Sequence, residues 1–385
     1  MNFRLVFTAI LVVMLATLRM AAAQVPAPPE LGATSYVLMD FHSRELLADK
    51  QPELRVEPAS ITKLMTSYVV FRELAADRLE LDDMVRISEK AWRTGGSRMF
   101  IEVDTEVSVE DLLKGVIIQS GNDASVALAE HVAGSEEVFA QMMNAEATQL
   151  GMQNTHFVNA TGWPHADHYT TAIDIARLAR ALIAEFPKFY AWYSVREFSY
   201  NGITQSNRNR LLWRDPSVDG LKTGHTEAAG YCLATSAERD GMRLISVVMG
   251  TASEDARAAA SQSLLNFGFR FFETFKLYSA GEVVATVPVW KAAVDEMQLV
   301  VDRDIYASVP RGRQDELAAE LQIPAQSIAP FAQGQNYGEL QILFDGEIRI
   351  QQPLTVPEEI PAAGWWGRTT DGISLWFSGL LGSDD

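Results

Sequence analysis

Ser60 and Lys63 stand three residues apart in EPASITKLM, residues 57–65. Pro58, a short polar entry and apolar Ile61, Leu64 and Met65 mark a helix start. Residues at this spacing share one helix face, their β-carbons about 5–6 Å apart, so hydroxyl and amine can meet. A serine hydroxyl becomes a nucleophile only with a base beside it. A lysine amine serves as that base when burial or a neighbouring cation keeps it neutral. The chemistry on offer is acyl transfer through an acyl-enzyme on Ser60. A serine near a helix end, with a lysine pointing at water, is the competing reading, and the pair alone does not separate the two.

Two further motifs shift the balance. Ser120-Gly121-Asn122 sits between two helical segments, and Lys222-Thr223-Gly224 immediately precedes a strand pattern. S-x-x-K, S-x-N and K-T-G in this order form the set shared by penicillin-binding proteins and related β-lactamases. None of the six histidines offers Ser60 an obvious partner, so Lys63 is the candidate base. Lys222 is a candidate for the cation that keeps it neutral.

These residues need elements to position them. Residues 34–40 read as a strand, with a second after the turn at His42-Ser43. Ser108, with Glu110 and Asp111, caps the helical segment LLKGVII; helices also follow Asp123 and Ser135. Thr171 to Asp174 form a capping box before IARLARALI. Residues 231–249 carry two strands joined by Arg239-Asp240-Gly241, and a helix is expected through LLNFGFRFFETF. The pattern predicts an α+β fold, an antiparallel sheet with helices around it. From about Gly281, short β-type runs separated by turns such as Asp345-Gly346 predict a smaller β-rich domain.

With the motifs in place, the chain resembles the D-alanyl-D-alanine carboxypeptidases of the low-molecular-mass penicillin-binding proteins, of the penicillin-binding protein 5 and 6 kind. The runs NRNRLLW (207–213), VDGLKTGHTEAAGY (218–231) and FGFRFFET (267–274) look like family sequence. The likeness spans essentially the whole mature chain. It implies a penicillin-binding/serine β-lactamase-like transpeptidase domain at 24–278, a β-rich C-terminal domain at 279–361 and a terminal amphipathic anchor at 362–385. It also implies removal of the terminal D-alanine from peptidoglycan stem pentapeptides, with β-lactams as covalent inhibitors and no cofactor.

The resemblance carries roles residue by residue. Ser120 would relay a proton towards the leaving D-alanine nitrogen, and Asn122 would hold a substrate amide. Lys222-Thr223-Gly224 on an exposed strand would bind the peptide by strand addition, Gly224 leaving room for it. Backbone N–H groups of Ser60 and His225 would form the oxyanion hole. Thr223, with Arg208 and Arg257, would take the terminal carboxylate. The segment 208–222 is one residue shorter than in relatives, which bears on the arginine assignments. Surface roles for the arginines and a packing role for His225 are the competing readings.

The remaining features bound the function. Residues 1–23 combine a basic start at Arg4, an apolar run over 5–18 and Ala21-Ala22-Ala23, as a removed secretory signal does. Its loss takes the formal charge from −18 to −20, a poor basis for binding nucleic acid. The single cysteine, Cys232, lies in an apolar run and reads as a small core residue. His165, Asp167 and His168 lack a convincing further ligand, so no metal site is expected. Residues 365–381 place Trp365, Trp366, Trp376 and Phe377 on one helical face, which predicts a helix lying in the membrane interface. Docking on its own protein is the competing reading, since three glycines and the lack of a basic cluster weaken the first. The predicted location is the periplasmic face of the bacterial inner membrane. Of the rivals, a serine β-lactamase is disfavoured because residues 160–173 contain no glutamate to activate a deacylating water. A DD-endopeptidase and a catalytically silent envelope scaffold are the others.

Overall fold

A computed structural model describes residues 25–364. The expected signal segment and the amphipathic stretch 365–381 lie outside the described residues. The chain divides into two units, Pro26–Phe271 and the part from Phe272 onward.

The first unit is built on five antiparallel strands: β1 (Ser35–Asp40), β2 (Leu46–Lys50), β3 (Val218–Thr226), β4 (Gly230–Arg239) and β5 (Met242–Thr251), in the order β2-β1-β5-β4-β3. Successive side chains alternate between faces. Val37, Met39, Ile245 and Val247 therefore enter the main core. Leu38 and Leu244 turn the other way, against Gly268, where a Cβ would come within 2.8 Å of both. Strand β3 is the edge of the sheet, pairing only with β4 among the described residues.

The main core holds the helices that carry the motifs. A 3-10 turn, Ala59–Thr62, leads into α1 (Lys63–Ala75), whose first nine residues are all buried. Helix α2 (Val109–Lys114) starts where Ser108 Oγ accepts the Asp111 N–H at 3.2 Å, as its sequence requires. It runs into a π-helical turn, Gly115–Gln119, which ends at Ser120. Helix α3 (Asn122–Ala133) follows, its small residues Ala124, Ser125, Ala127 and Ala129 fully buried. Helix α4 (Glu136–Gln149) is capped by Ser135, and α5 (Ala172–Glu185) by Thr171, which accepts from Asp174 N. Asp174 does not return a bond to its own cap. Its carboxylate instead accepts from Asn154 N and Thr155 Oγ1, at 3.0 and 2.8 Å.

The last helix of this unit, α6 (Glu254–Phe271), stops earlier than its sequence pattern suggests. The aromatic run beyond it becomes strand β6 (Phe272–Tyr278), which pairs antiparallel with residues 305–310. Strands β7 (Val283–Trp290), β8 (Glu296–Val301), β9 (Ile305–Pro310), β10 (Leu317–Gln322), β11 (Ser327–Ile328), β12 (Asn336–Phe344) and β13 (Glu347–Thr355) complete the second unit. Six of them form one sheet, β10-β12-β13-β8-β7-β11, while β6 pairs with β9. Its own core gathers Leu299, Val301, Leu340, Ile342 and Leu354. Asp345 and Gly346, at φ 55° and 76°, make the tight hairpin between β12 and β13.

Candidate active site

Seven of the residues singled out in the sequence, Ser60, Ser120, Thr223, Gly224, His225, Arg208 and Arg257, line one cavity of about 370 Å³. The remaining three are bonded to that lining: Lys63 to Ser60, Asn122 to Lys63 and Lys222 to Ser120. Ser60 sits in the 3-10 turn and Lys63 opens α1, so the two face each other across 3.0 Å, Nζ to Oγ.

Lys63 is 1% exposed and its amine has three partners: Ser60 Oγ, Asn122 Oδ1 at 2.7 Å and the Thr161 carbonyl at 2.6 Å. Burial above all, then the Arg208 guanidinium, push this amine down to about 7, against the pull of Asp123. The neutral form is thus well populated near neutral pH. The expected cation, Lys222, and Lys63 disfavour each other's charge, and Arg208 adds to the effect on both. Lys222 is itself buried; burial, then Lys63, Arg208 and Arg257, hold its amine well below the ordinary lysine range.

Lys222 donates to Ser120 Oγ at 2.9 Å and to the Thr223 carbonyl at 3.1 Å. Ser120 stands at φ 63°, in the left-handed region, where the π-helical turn ends. Asn122 uses both ends of its side chain, accepting from Lys63 and donating to the Gly95 carbonyl at 2.7 Å. Its one free amide hydrogen is what remains for a substrate.

Gly224 has a packing reason as well. A Cβ there would lie 2.9 Å from the Pro58 carbonyl and 3.2 Å from Ala59 Cβ. The missing side chain lets β3 press against the turn that carries Ser60. Gly224 and His225 line the same cavity as Ser60.

The arginines separate by their partners. Arg208 is exposed and lines the cavity. Its near neighbour Arg210 is drawn away into ion pairs with Glu254 and Asp255, at 2.8 and 3.0 Å. Arg257 is 4% exposed; it donates to the Gly224 carbonyl at 3.1 Å and lies 5.5 Å over the Tyr231 ring. His225 stacks on that same ring, its centroid 3.9 Å from that of Tyr231.

Several contributors carry little signal in the sequence. The Thr161 carbonyl acts through its backbone, which no side-chain motif betrays. Gly162, at φ +83°, would place a Cβ 1.8 Å from the Ala59 carbonyl, so only glycine fits beside the Ser60 turn. Asp123, directly after the S-x-N motif, is buried and accepts from the backbone N–H groups of Met99, Phe100 and Ile101. It holds the segment that follows Gly96 and Ser97 of the cavity lining.

Cys232 and His168 lie in the packed interior. Cys232 is fully buried, and burial pushes its thiol up to about 11. His168 is engaged at both nitrogens, Nε2 with Thr62 Oγ1 at 2.8 Å and Nδ1 accepting from Val158 N at 3.2 Å. The arrangement as a whole suits acyl transfer by a serine whose base is a lysine.

Known proteins share this chain's sequence and architecture. Residues 22–253 match the family described as D-alanyl-D-alanine carboxypeptidase, and residues 272–362 match the C-terminal domain of penicillin-binding protein 5. D-alanyl-D-alanine carboxypeptidase DacA of Escherichia coli K12 is 41% identical over 366 residues, 93% of this chain and 91% of that protein. DacC of the same organism is 42% identical over 371 residues, covering 94% and 93%. The crystal structure of penicillin-binding protein 5 from Haemophilus influenzae superposes with a TM-score of 0.85 at 40% identity, over 87% of this chain and 99% of that one.

Proposed function

The chain belongs to the D-alanyl-D-alanine carboxypeptidase family and is a serine-type peptidase of that activity, and we propose that Ser60 is its nucleophile and Lys63 its general base. The observation that carries this assignment is the 3.0 Å contact between Lys63 Nζ and Ser60 Oγ, with the amine brought down to about 7. Neutral Lys63 takes the Ser60 proton as Oγ attacks the carbonyl of the penultimate D-alanine. The developing oxyanion is held by the Ser60 and His225 N–H groups. Ser120, polarised by Lys222, passes its proton to the departing D-alanine nitrogen and takes up the one held by Lys63, which is neutral again. Water then attacks the acyl-enzyme, with Lys63 accepting its proton and returning it to Ser60 Oγ as the ester bond breaks.

The substrate enters as an added strand along the free edge of β3, where Thr223 and Arg208 meet its terminal carboxylate. Arg257 acts from behind, holding the Gly224 carbonyl and adding positive charge. β-Lactams, whose strained amide meets the same nucleophile, acylate Ser60. In the cell the substrate is the stem peptide of peptidoglycan, on the periplasmic side of the inner membrane. The segment after residue 362 is proposed as a peripheral membrane anchor.

A pair of peptides tests the carboxypeptidase assignment against an endopeptidase. One ends in D-Ala-D-Ala with a free carboxylate, and the other carries a C-terminal amide. Strong preference for the carboxylate, largely lost in Arg208→Gln, is the expected result. Equal cleavage of both by the wild type contradicts the carboxylate site.

A further inference from the structure

The Arg208 side chain makes no hydrogen bond or ion pair among the described residues. No polar partner fixes its tip, so its aim into the cavity depends on the backbone that carries it. That backbone is neither helix nor strand: residues 207–209 lie between the strand Ile203–Ser206 and the short helix Leu211–Arg214.

Two buried asparagines hold it instead. Asn207 and Asn209 are 6% and 1% exposed, with Arg208 turned outward between them. Asn207 donates to the Tyr193 and Val195 carbonyls, at 3.3 and 3.0 Å. Its Oδ1 accepts the Asn209 N–H at 3.0 Å, closing a turn across Arg208 itself. Asn209 donates to the Gly220 carbonyl at 2.9 Å, its amide nitrogen lies 3.5 Å from Thr235 Oγ1, and its Oδ1 accepts the Leu211 N–H at 3.1 Å. Gly220 belongs to β3, the strand of Lys222 and Thr223. Each amide thus spends its hydrogens on the protein, whereas the guanidinium between them stays free for a ligand.

Resting on the carboxylate site described above, we propose that Asn207 and Asn209 are positioning residues for recognition of the substrate's terminal carboxylate, acting through Arg208. Neither touches the peptide. They fix both flanks of Arg208 and tie it to β3, so that guanidinium and strand meet the D-alanine end together. Misplacing such a group by about 1 Å can cost up to 10²-fold.

The same two peptides, with a C-terminal carboxylate or amide, test the bracket through the ratio of their kcat/KM values. Asn209→Ala should lower that ratio by about three- to tenfold, chiefly by raising KM for the carboxylate peptide. Asn209→Ser should act alike, since its hydroxyl can accept from Leu211 N but is too short for the Gly220 carbonyl. It replaces Asn209→Ala if thermal denaturation shows that the alanine variant does not fold. A purely structural role would lower both rates together and leave the ratio unchanged. In an Arg208→Gln background Asn209→Ala should change the ratio no further, because Asn209 acts through Arg208. A ratio unchanged in a folded Asn209 variant, or a loss that adds to that of Arg208→Gln, overturns the bracket while leaving the carboxylate site intact. A ratio that Arg208→Gln itself does not lower overturns both.

Discussion

The Lys222 amine and the Ser120 hydroxyl meet at 2.9 Å, tying the edge strand of the sheet to a loop residue 102 positions away. Ser120 holds this position at φ 63°, a conformation that favours glycine. Two substitutions separate the hydroxyl from the backbone. Ser120→Gly and Ser120→Ala should both slow acylation by about 10²-fold or more, as loss of a proton relay does. Ser120→Gly should be the more stable of the two by about 1 kcal/mol, because alanine resists the left-handed region. Thermal denaturation beside acylation kinetics checks the pair; equal stability would remove the strain argument.

The state of Lys63 sets a pH profile. Acylation needs the neutral amine, which burial first, and then Arg208, bring down to about 7. Below that pH the amine is protonated, so acylation by a chromogenic β-lactam should fall tenfold per pH unit. Above it the rate should level off. Arg208→Gln removes a cation that disfavours the charged amine, so the break should move to higher pH. A rate that is flat from pH 5 to 8 would exclude Lys63 as the base.

Gly224 offers a steric test. A Cβ at this position would meet the Pro58 carbonyl at 2.9 Å, and that backbone cannot swing aside as a side-chain end does. Gly224→Ala should therefore displace the Ser60 turn, lowering stability by about 1–3 kcal/mol and acylation by about tenfold or more. A variant that melts and acylates like the wild type would show that the strand and turn do not press together.

Much of this was legible in the sequence, and the reasons differ by residue. Ser60 and Lys63 are side chains at a fixed helical spacing, and caps such as Ser108 and Thr171 are local, so both can be read from neighbours in the chain. Thr161 acts through a carbonyl and Gly162 through the absence of an atom; only the tertiary packing reveals either. The packing of Gly224 against Pro58 was hidden as well, since the two are distant in sequence. That Arg208 also bears on Lys63 was hidden for the same reason: motif order shows that two lysines share a site, but not which arginine closes on them. The end of α6 was misplaced because an aromatic run suits a buried helix and a strand equally.

His168 links the site to acid stability. Its imidazole is 2% exposed and is pushed down to about 4, by burial first and then by His156, His165 and Lys63. The unfolded chain takes up this proton near pH 6.5, and the folded chain only near 4. Above 6.5 both states are neutral and the full stability is present. As the pH falls from 6.5 to 4 the unfolded state alone gains the proton, and about 3 kcal/mol should be lost. His168→Asn should lack this step, although it starts from a lower stability. Denaturant unfolding at pH 7 and pH 4.5 for both proteins checks the difference; parallel losses would exclude His168 as the source.

On the proposed mechanism acyl transfer runs through Ser60. The most direct measurement is the initial rate of D-alanine release from Nα,Nε-diacetyl-lysyl-D-Ala-D-Ala by the wild type and by Ser60→Ala, with folding of the variant verified by circular dichroism. Steady release is expected from the wild type, and release at the uncatalysed background from Ser60→Ala. Release that survives the substitution would contradict it.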